Sequence, residues 1–332
     1  MRNLYAGLDV SLRTTAICIV DAKGSVVAEY ESETDAAAIA DALKPYRRQL
    51  DAVGYESGVR LATLRKGLAR EKFRLLCLDA RHASAALKAR LNKTDANDAR
   101  ALAQLVASGI YTLAYVKTDK ATRIRTILGF REVFVRKTRD FNSALTMAGR
   151  LVADLPTTRR RKTRSEGEIA LEIATEETTK AANSLRSQLV KLDKLVSALA
   201  KDDPTCCRLM TIPGVGPITA LTFFAGVDDP HRFKASRNVA AYFGLTPRVF
   251  QSGATTRSGR ISHRGDASVR KALYGAARSL LVNARTDCSL RRWGLRLART
   301  KGRKIAYVAV ARKMAVLMHH LWVTGEDFDP SR

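Results

Sequence analysis

Apolar residues in the first third of the chain follow two different repeats. Apolar runs at 3–10, 15–21 and 25–31 predict three short strands joined by tight turns, and runs at 52–56 and 73–78 predict two more. Helical spacing of Ala, Ile and Leu predicts helices at 35–48 and at about 59–71, 82–91 and 95–108. Three antiparallel strands followed by alternating helices and strands indicate an α/β layer with a mixed sheet.

The strand pattern disappears between residues 118 and 200. Two long helical stretches flank an interruption at 155–158, which is followed by a basic run at 159–164. The second stretch begins near Glu166 and carries an apolar heptad stripe, Leu185, Leu189, Leu192, Val196 and Leu199. The stripe is compatible with an antiparallel coiled coil or with a contact between subunits. The basic run is either a solvated loop or a phosphate contact. From Asp202 the pattern is mainly helical with Gly-rich breaks.

Charge separates the same regions. The chain has 332 residues with 58 Lys and Arg against 32 Asp and Glu, a net charge of +26. Residues 1–110 hold 17 basic and 13 acidic side chains, so the remainder holds 41 and 19. A folded protein this basic favours a polyanionic partner, and the nearly balanced first third indicates acids kept for a purpose.

Several classes of protein are excluded at this stage. An apolar share of 46% indicates a folded chain rather than a disordered one. No apolar run approaches the roughly 18 residues of a membrane span, and no signal-peptide core is present, so no membrane partner is expected. The five cysteines lack CxxC spacing and the five histidines do not cluster, which argues against zinc modules and disulfide scaffolds. These features predict a cytoplasmic protein.

Four acids of the first region form an ordered set. Asp9 lies in the first predicted strand, Glu56 ends the fourth, and Asp95 and Asp98 share one face of a helix. Thr94 is positioned to cap that helix. For Asp95 the alternative to a role in the acidic set is a structural one near the amino end of the same helix. Acids in this order are typical of ribonuclease-H-like nucleases, in which the first and fourth strands are neighbours.

Clustered carboxylates need a counter-ion, and hard oxygen ligands select Mg²⁺ or Mn²⁺. Two such ions stabilise the attacking and leaving oxygens of a phosphodiester displacement. A sugar-kinase or actin-like ATPase also begins with a strand like GLDVS at 7–11. That class needs further Gly-rich phosphate loops, which the sequence lacks.

The last third carries two candidate nucleic-acid elements. IPGVGPITA at 212–220 resembles the hairpin of helix-hairpin-helix modules, with Gly214 and Gly216 permitting a tight turn; the alternative is a plain connection between helices. Downstream, the Ser-, Gly- and Arg-rich stretch at 251–265 predicts a loop over a phosphate backbone. Its candidate phosphate contacts are Arg257, Arg260 and Arg264. Ser252, Ser258 and Ser262 are equal candidates for a nucleophile on local chemistry alone.

Seven blocks, in order, carry a resemblance to one family. GLD at 7–9, YESG at 55–58 and KTDANDA at 93–99 resemble the amino-terminal blocks of the DEDD transposases of the IS110 class. The segments 212–217, 241–247, 251–253 and 261–265 resemble the carboxy-terminal domain of that class. The class is in turn similar to pilin-gene inverting recombinases.

The resemblance implies three parts. These are a RuvC-like, ribonuclease-H-like mixed-sheet domain at 1–115, a helical coiled-coil connector at 116–200, and a mainly helical transposase domain at 201–332. The last contains a helix-hairpin-helix-like element. The family's catalytic acids and metal ligands map onto Asp9, Glu56, Asp95 and Asp98. Its nucleophile maps onto Ser252, which demotes Ser258 and Ser262.

The resemblance also implies the reaction and its partners. In the family, a structured non-coding guide RNA pairs with target and donor DNA. The chain is therefore expected to be a Mg²⁺-dependent site-specific recombinase of an insertion sequence. It would cut and rejoin DNA through a phosphoserine intermediate, as a homo-oligomer that is a dimer or, in synapsis, a tetramer. The alternatives are a hydrolytic RuvC-like nuclease and a non-catalytic nucleic-acid-binding protein, although the latter gives no reason for four ordered acids.

Overall fold

The computed structural model describes residues 3–56, 61–79, 94–153, 165–253 and 255–331. The chain divides into two compact units, Met1–Val116 and Lys117–Arg332. The helix predicted at 82–91, the interruption at 155–158 and the basic run at 159–164 lie outside the described residues. A further boundary near residue 200 stays a prediction. Within the described ranges, no helix is both long and apolar enough to cross a membrane.

The amino-terminal unit is built on a five-stranded mixed sheet. Its strands are β1 (Leu4–Val10), β2 (Thr14–Asp21), β3 (Val26–Glu33), β4 (Leu50–Glu56) and β5 (Leu75–Leu78). They lie in the order β3-β2-β1-β4-β5. β1 pairs antiparallel with β2 and β2 with β3, whereas β4 pairs parallel with both β1 and β5. This is the strand order of the ribonuclease-H-like fold, which confirms the predicted sheet and the adjacency of its first and fourth strands.

Helices cover both faces of this sheet. The helices are α1 (Ala36–Leu43), which continues as the 3₁₀ turn Lys44–Tyr46, α2 (Leu61–Arg70) and α3 (Asp95–Ser108). On one face, Leu8 and Val53 pack in a cluster with Ile39 of α1 and Leu68 of α2. On the other face lies α3, whose small residues Ala99 and Ala103 pack against β2. The central strands β2, β1 and β4 are buried because they offer apolar residues to both layers, whereas β3 at the edge of the sheet is largely exposed.

One glycine sets the distance between β1 and α3. A Cβ atom on Gly7 would collide with the backbone of α3 at Ala99 and Ala103. Helix and strand therefore touch at this point with no side chain between them. The amino end of α3 is consequently held against the carboxyl end of β1.

The carboxy-terminal unit is mainly helical, as predicted. Its helices are α4 (Asp119–Ala153), α5 (Glu166–Asp202), α6 (Pro204–Leu209), α7 (Pro217–Val227), α8 (Arg237–Tyr242), α9 (Ala267–Val282), α10 (Ser289–Lys301) and α11 (Arg303–Thr324), with a 3₁₀ turn at Pro230–Arg232. α7 lies at the centre, where Phe223 is fully buried against Phe243.

The two long helices α4 and α5 pack as an antiparallel pair. Arg131 Nε lies 2.5 Å from Asp193 Oδ1, and further along the pair Arg186 contacts Asn142. Of the predicted heptad stripe, Val196 is buried and the four leucines are half-buried. The stripe therefore lies at the edge of the helix pair and is covered only in part by the residues that the structure describes.

One segment differs from its predicted form. The stretch at 251–265 is not an irregular loop: β6 (Pro247–Ser252) and β7 (Thr255–Ile261) form a two-stranded antiparallel hairpin. β-branched and aromatic residues favour these strands, and Gly253 adopts the left-handed backbone (φ +56°) that a tight hairpin turn requires. The Ser- and Arg-rich composition concealed this pattern.

Candidate active site

The first two acids lie side by side at the ends of adjacent strands. β1 and β4 run parallel with Leu8 opposite Tyr55, so Asp9 and Glu56 occupy the next position on each strand. Leu8 and Tyr55 face the α1 and α2 layer, and because side chains alternate along a strand, Asp9 and Glu56 face the α3 layer. Both acids are half-buried. The predicted pairing is thus a consequence of strand order and register.

The other two acids lie in the first turn of α3. Thr94 caps this helix, since its hydroxyl oxygen accepts a hydrogen bond from the Asn97 amide at 3.2 Å. Asp95 is exposed and accepts a hydrogen bond from Ser11 Oγ, just beyond β1, at 3.4 Å. Asp98 is half-buried. Negative charge is favourable at a helix amino end, so both acids also stabilise α3.

The donor chemistry of this region fits a divalent cation. All four side chains are carboxylates, which are the oxygen ligands that Mg²⁺ and Mn²⁺ take. Asp9 and Glu56 project from the face of the sheet on which α3 packs, and the Ser11–Asp95 contact brings the start of α3 to the end of β1. Among the described residues, however, no three acidic, histidine or cysteine side chains form a closed metal-binding group. The acids are placed as a strand pair and a helix pair.

The hairpin of the carboxy-terminal unit presents Ser252 at its tip. Ser252 ends β6 and pairs with Thr255 of β7, next to Gly253. Every residue of β6 is exposed, and so is every residue of β7 except Ile261. Within the described part of the chain, no hydrogen bond is made by the Ser252 hydroxyl. The position therefore offers an accessible serine on a regular element.

The other two candidate serines are placed differently. Ser258 lies further down β7, opposite Val249. Ser262 lies at the hairpin base, where its amide donates to Thr246 O at 2.9 Å and its hydroxyl accepts from the Arg264 amide at 3.4 Å. Arg257, Arg260 and Arg264 are all exposed along the same hairpin and its base. Phosphate binding by these three arginines stays a prediction.

The hairpin base is fixed by contacts that the sequence did not reveal. Arg270 Nη1 donates to three backbone carbonyls, Phe243 O at 3.1 Å, Arg264 O at 2.8 Å and Gly265 O at 3.0 Å. Gly265 (φ +77°) approaches so closely that a Cβ atom would collide with the Tyr242 carbonyl. Because Arg270 lies on α9, these contacts tie the base of the hairpin to the buried core.

A second anchor of the hairpin base is ionic. Arg125 of α4 binds the carboxylate of Asp266, the residue that caps α9. Burial alone would raise the pKa of Asp266, but Arg125 and the amides of Ser268 and Val269 hold the pKa below its usual value. The carboxylate therefore stays charged and bound. The sequence offers only a weak signal for these contacts, namely the basic residues that flank Gly265 and Asp266.

The Gly214 and Gly216 turn connects α6 to α7. Gly214 (φ +89°) packs on α9, where a Cβ atom would lie 2.6 Å from Ala276 O. Its conformation is therefore required by packing. Gly216 precedes Pro217 at the start of α7 and has open space around it. Phosphate binding at this turn stays a prediction for both glycines.

Two family models match the chain. Residues 6–148 match a transposase model, DEDD_Tnp_IS110, and residues 206–291 match the model described as Transposase IS116/IS110/IS902 family. The first covers the unit with the four acids, and the second covers the turn, the hairpin and α9. Together they define a transposase with a ribonuclease-H-like unit and a helical unit.

Curated relatives agree with these models. The transposase for insertion sequence element IS1111A of Coxiella burnetii is 30% identical over 71% of this chain and 68% of its own length. A probable family 20 transposase of Pseudomonas aeruginosa is 26% identical over 68% and 71%. The pilin gene-inverting protein of Moraxella bovis is 27% identical over 36% and 38%. The chain belongs to the IS110 family of transposases.

Among solved structures, the Thermus thermophilus RuvC structure aligns with a TM-score of 0.27 and 13% identity, covering 33% of this chain and 99% of that chain. The fold assignment stands on the strand order given above. As a family member the chain is a DNA transposase, an enzyme that acts on DNA to move an insertion sequence.

Proposed function

We propose that the chain recombines DNA through a covalent bond to Ser252. The Ser252 oxygen attacks a phosphodiester phosphorus and loses its proton, while the bond from phosphorus to one sugar oxygen breaks and that oxygen takes up a proton. The phosphoserine ester conserves the bond energy. A sugar hydroxyl of the incoming strand then displaces Ser252, and the strands are rejoined without an external energy source.

The placement of Ser252 carries this proposal. The serine is exposed at the tip of a regular hairpin, beside a glycine, and its hydroxyl makes no hydrogen bond within the described ranges. Arg257 and Arg260 lie on the paired strand. Guanidinium groups around a scissile phosphate favour the negative charge that builds up in the transition state. Ser262 is less suited because its hydroxyl is engaged at the hairpin base.

The four acids of the amino-terminal unit are the proposed metal ligands for this reaction. Transposases of this type and nucleases of this fold generally use divalent metal ions. Asp9, Glu56, Asp95 and Asp98 would hold Mg²⁺, with Mn²⁺ as a substitute. A bound ion would lower the pKa of the attacking hydroxyl and neutralise charge on the phosphate. Asp9 and Glu56 keep their place because both strands are fixed in the sheet.

Guide RNA and oligomerisation belong to the same proposal. Residues 111–332 hold 41 basic and 19 acidic side chains, which suits a protein that binds a structured non-coding RNA together with donor and target DNA. The half-buried leucines of α5 leave an apolar edge for a second copy. We propose a dimer that becomes a tetramer when two DNA sites are brought together. Sequencing the RNA that copurifies with the protein tests the first part.

Trapping on denaturing gels tests the nucleophile. The wild-type chain, with labelled donor and target DNA and copurified RNA, should yield a protein–DNA adduct that survives denaturation. Ser252→Ala should abolish the adduct and recombination but keep RNA and DNA binding. Ser258→Ala and Ser262→Ala are the matched controls and should keep the adduct. An adduct formed by Ser252→Ala but lost in either control would move the nucleophile along the hairpin.

A hydrolytic nuclease is the second candidate, because all four acids lie in one unit that has the nuclease strand order. In that case water attacks the phosphorus. DNA would be cut without any covalent adduct, and Ser252→Ala would cut as well as the wild type.

A further inference from the structure

A large groove opens beside the hairpin in the carboxy-terminal unit. Its volume is about 1850 Å³, and it runs between β7 and the helices α10 and α11. Sites for single small molecules usually measure about 300–1,000 Å³. The groove therefore has room for a segment of a polymer rather than for one small molecule. Residues 292–332, which include most of α10 and all of α11, lie outside both segments matched by the family models.

The lining of the groove is apolar and aromatic. Trp293 of α10 and Tyr274 of α9 line it together with Ile305 of α11, whose side chain is 57% exposed. The ammonium group of Lys313 lies 4.0 Å from the centre of the Trp293 ring. The ammonium group lies over one face of the ring, so a base would stack on the other face while the cation binds the backbone.

The edge of the groove is cationic. Five basic side chains line it: Arg260, Arg296, Lys304, Arg312 and Lys313. None of these five makes a salt bridge to a carboxylate of the described residues. The acidic lining residues, Glu326, Asp327 and Asp329, all belong to the short segment after α11, and Asp327 lies 3.8 Å from Arg208. The charge is therefore suited to a polyanion.

We propose that this groove binds a single strand of DNA, parted from its complement beside the cleavage site. The inference rests on the proposed function, because it takes the hairpin to be the catalytic element. In duplex DNA the faces of the bases are stacked inside and only base edges and phosphates are accessible, so an aromatic lining finds no base face to stack on. An unpaired strand offers both bases and phosphates, and thus matches both parts of the groove.

The position relative to Ser252 supports this occupant. Ser258 lines the groove, and it lies three residues along β7 from Thr255, which pairs with Ser252. Three residues of a strand span about 10 Å. A strand held in the groove would thus pass within a few nucleotides of the Ser252 hydroxyl. The groove would keep the cut strand from pairing again before it is exchanged.

Fluorescence of the two tryptophans tests the occupant. Trp322→Phe leaves Trp293 in the groove, whereas Trp293→Phe leaves Trp322, which stacks on Phe224 in the core at 5.0 Å. Titration of the full-length Trp322→Phe chain with oligo-dT should quench the tryptophan fluorescence, because a base stacked on Trp293 quenches the excited indole ring. The Trp293→Phe chain should show no quenching. Quenching of both variants, or of neither, would contradict the proposal.

A charge inserted into the groove provides a second test with a matched control. Ile305→Glu places a carboxylate in the groove, and Val282→Glu places one at an equally exposed position, 57%, outside it. Ile305→Glu should weaken binding of oligo-dT at least about tenfold and leave duplex binding unchanged. Val282→Glu should change neither. Both sites are exposed, so folding is not expected to suffer.

Other results would overturn the inference. Equal weakening of duplex and single-strand binding by Ile305→Glu would assign the groove to duplex DNA, and tighter binding of oligo-U than of oligo-dT would assign it to RNA. A change of oligomeric state with unaltered oligo-dT binding would assign it to a second copy of the chain. These are binding measurements, so they remain valid for Ser252→Ala and separate a failure of the groove from a failure of the proposed nucleophile.

Discussion

Asp9 and Glu56 lie on strands covered by helices on both faces, whereas Ser252 lies at the tip of a hairpin that is exposed along nearly all its length. The acids are positioned by the packing of the sheet itself. The serine is positioned from a distance, by Arg270 and Gly265 at the hairpin base. A pair of acids fixed in a sheet and an exposed serine on an anchored hairpin suit the proposed reaction, in which the attacking group must reach a phosphate and then release it.

The largest effect is expected from removing charge at the strand ends. Asp9→Asn and Glu56→Gln should each lower strand transfer at least about 100-fold, because even the outer partners of metal ligands cost about 10–100-fold. Nucleic-acid binding should remain, since both substitutions leave every basic side chain in place. Strand transfer measured over a Mg²⁺ or Mn²⁺ titration, together with DNA binding, checks this. Wild-type activity in EDTA would contradict the metal assignment.

The helix pair should be unequal. Asp98 is half-buried while Asp95 is exposed and accepts from Ser11, so Asp98→Asn should reduce strand transfer at least as much as Asp95→Asn. Parallel assays of the two variants under one metal concentration measure this. Full activity in both variants would show that a different acid pair completes the site.

Packing beneath the acids can be broken without touching a carboxylate. Gly7→Ala should destabilise the amino-terminal unit by about 3 kcal/mol, because its Cβ atom meets the backbone of α3 rather than a side chain that can move. The matched control is Gly129→Ala in α4, where nothing lies within 4 Å. That variant should gain about 0.5–1 kcal/mol. Urea unfolding of the two chains measures the contrast, and equal stabilities would refute the close approach.

The anchor of the hairpin can be weakened in the same way. Arg270→Gln removes a donor to three carbonyls and should lower adduct formation about tenfold, the equivalent of one lost hydrogen bond from a charged group. The hairpin should also become more susceptible to trypsin at Arg257 and Arg260. Arg278→Gln, on the exposed face of the same helix, is the control. If both variants behave alike, Arg270 does not position the hairpin.

The smallest expected effect is a difference between the two units in how their stability depends on pH. His319 is buried, its Nδ1 lies 2.9 Å from Ser236 Oγ, and its Nε2 lies 2.9 Å from the Pro230 carbonyl. Burial lowers the pKa of His319 below its usual 6.5, despite the carbonyl contact. The unfolded chain then binds more protons just below pH 6.5 than the folded chain does, so stability of this unit falls as pH drops.

Unfolding of the two units, followed separately between pH of about 7.5 and about 5.5, measures this effect. His319→Gln should flatten the pH dependence of the carboxy-terminal unit, whereas His320→Gln, at the exposed neighbouring position, should not. An unchanged slope in His319→Gln would assign the pH dependence to other groups.

Much of the amino-terminal unit followed from sequence because its signals are local. Apolar runs predicted the five strands to within two residues at every end, and Thr94 and the small residues of α3 indicated a capped helix at 95–108. The order of the four acids along the chain indicated the nuclease sheet. Once β1 and β4 are neighbours, Asp9 and Glu56 must meet, because register fixes which residues lie opposite each other.

The hairpin could not be predicted from local sequence patterns. Its strands carry Ser, Gly and Arg because both faces are exposed, so no alternation of apolar and polar residues marks them. The pairing of Ser252 with Thr255 determines which serine lies at the tip of the hairpin. The base of the hairpin is anchored by Arg270, which lies seventeen residues beyond Gly253 in the sequence. Both are properties of the folded chain.

The strands of the first unit, the long helices and the set of acids could be predicted from the sequence, since each depends on spacing within a few residues. Three features required the folded chain: Gly214 serves packing on α9, the four acids form no closed metal-binding group among the described residues, and a groove lined by five basic side chains opens beside β7. These features depend on contacts between residues far apart in the chain. Such contacts produce no periodic pattern in the sequence from which they could be predicted.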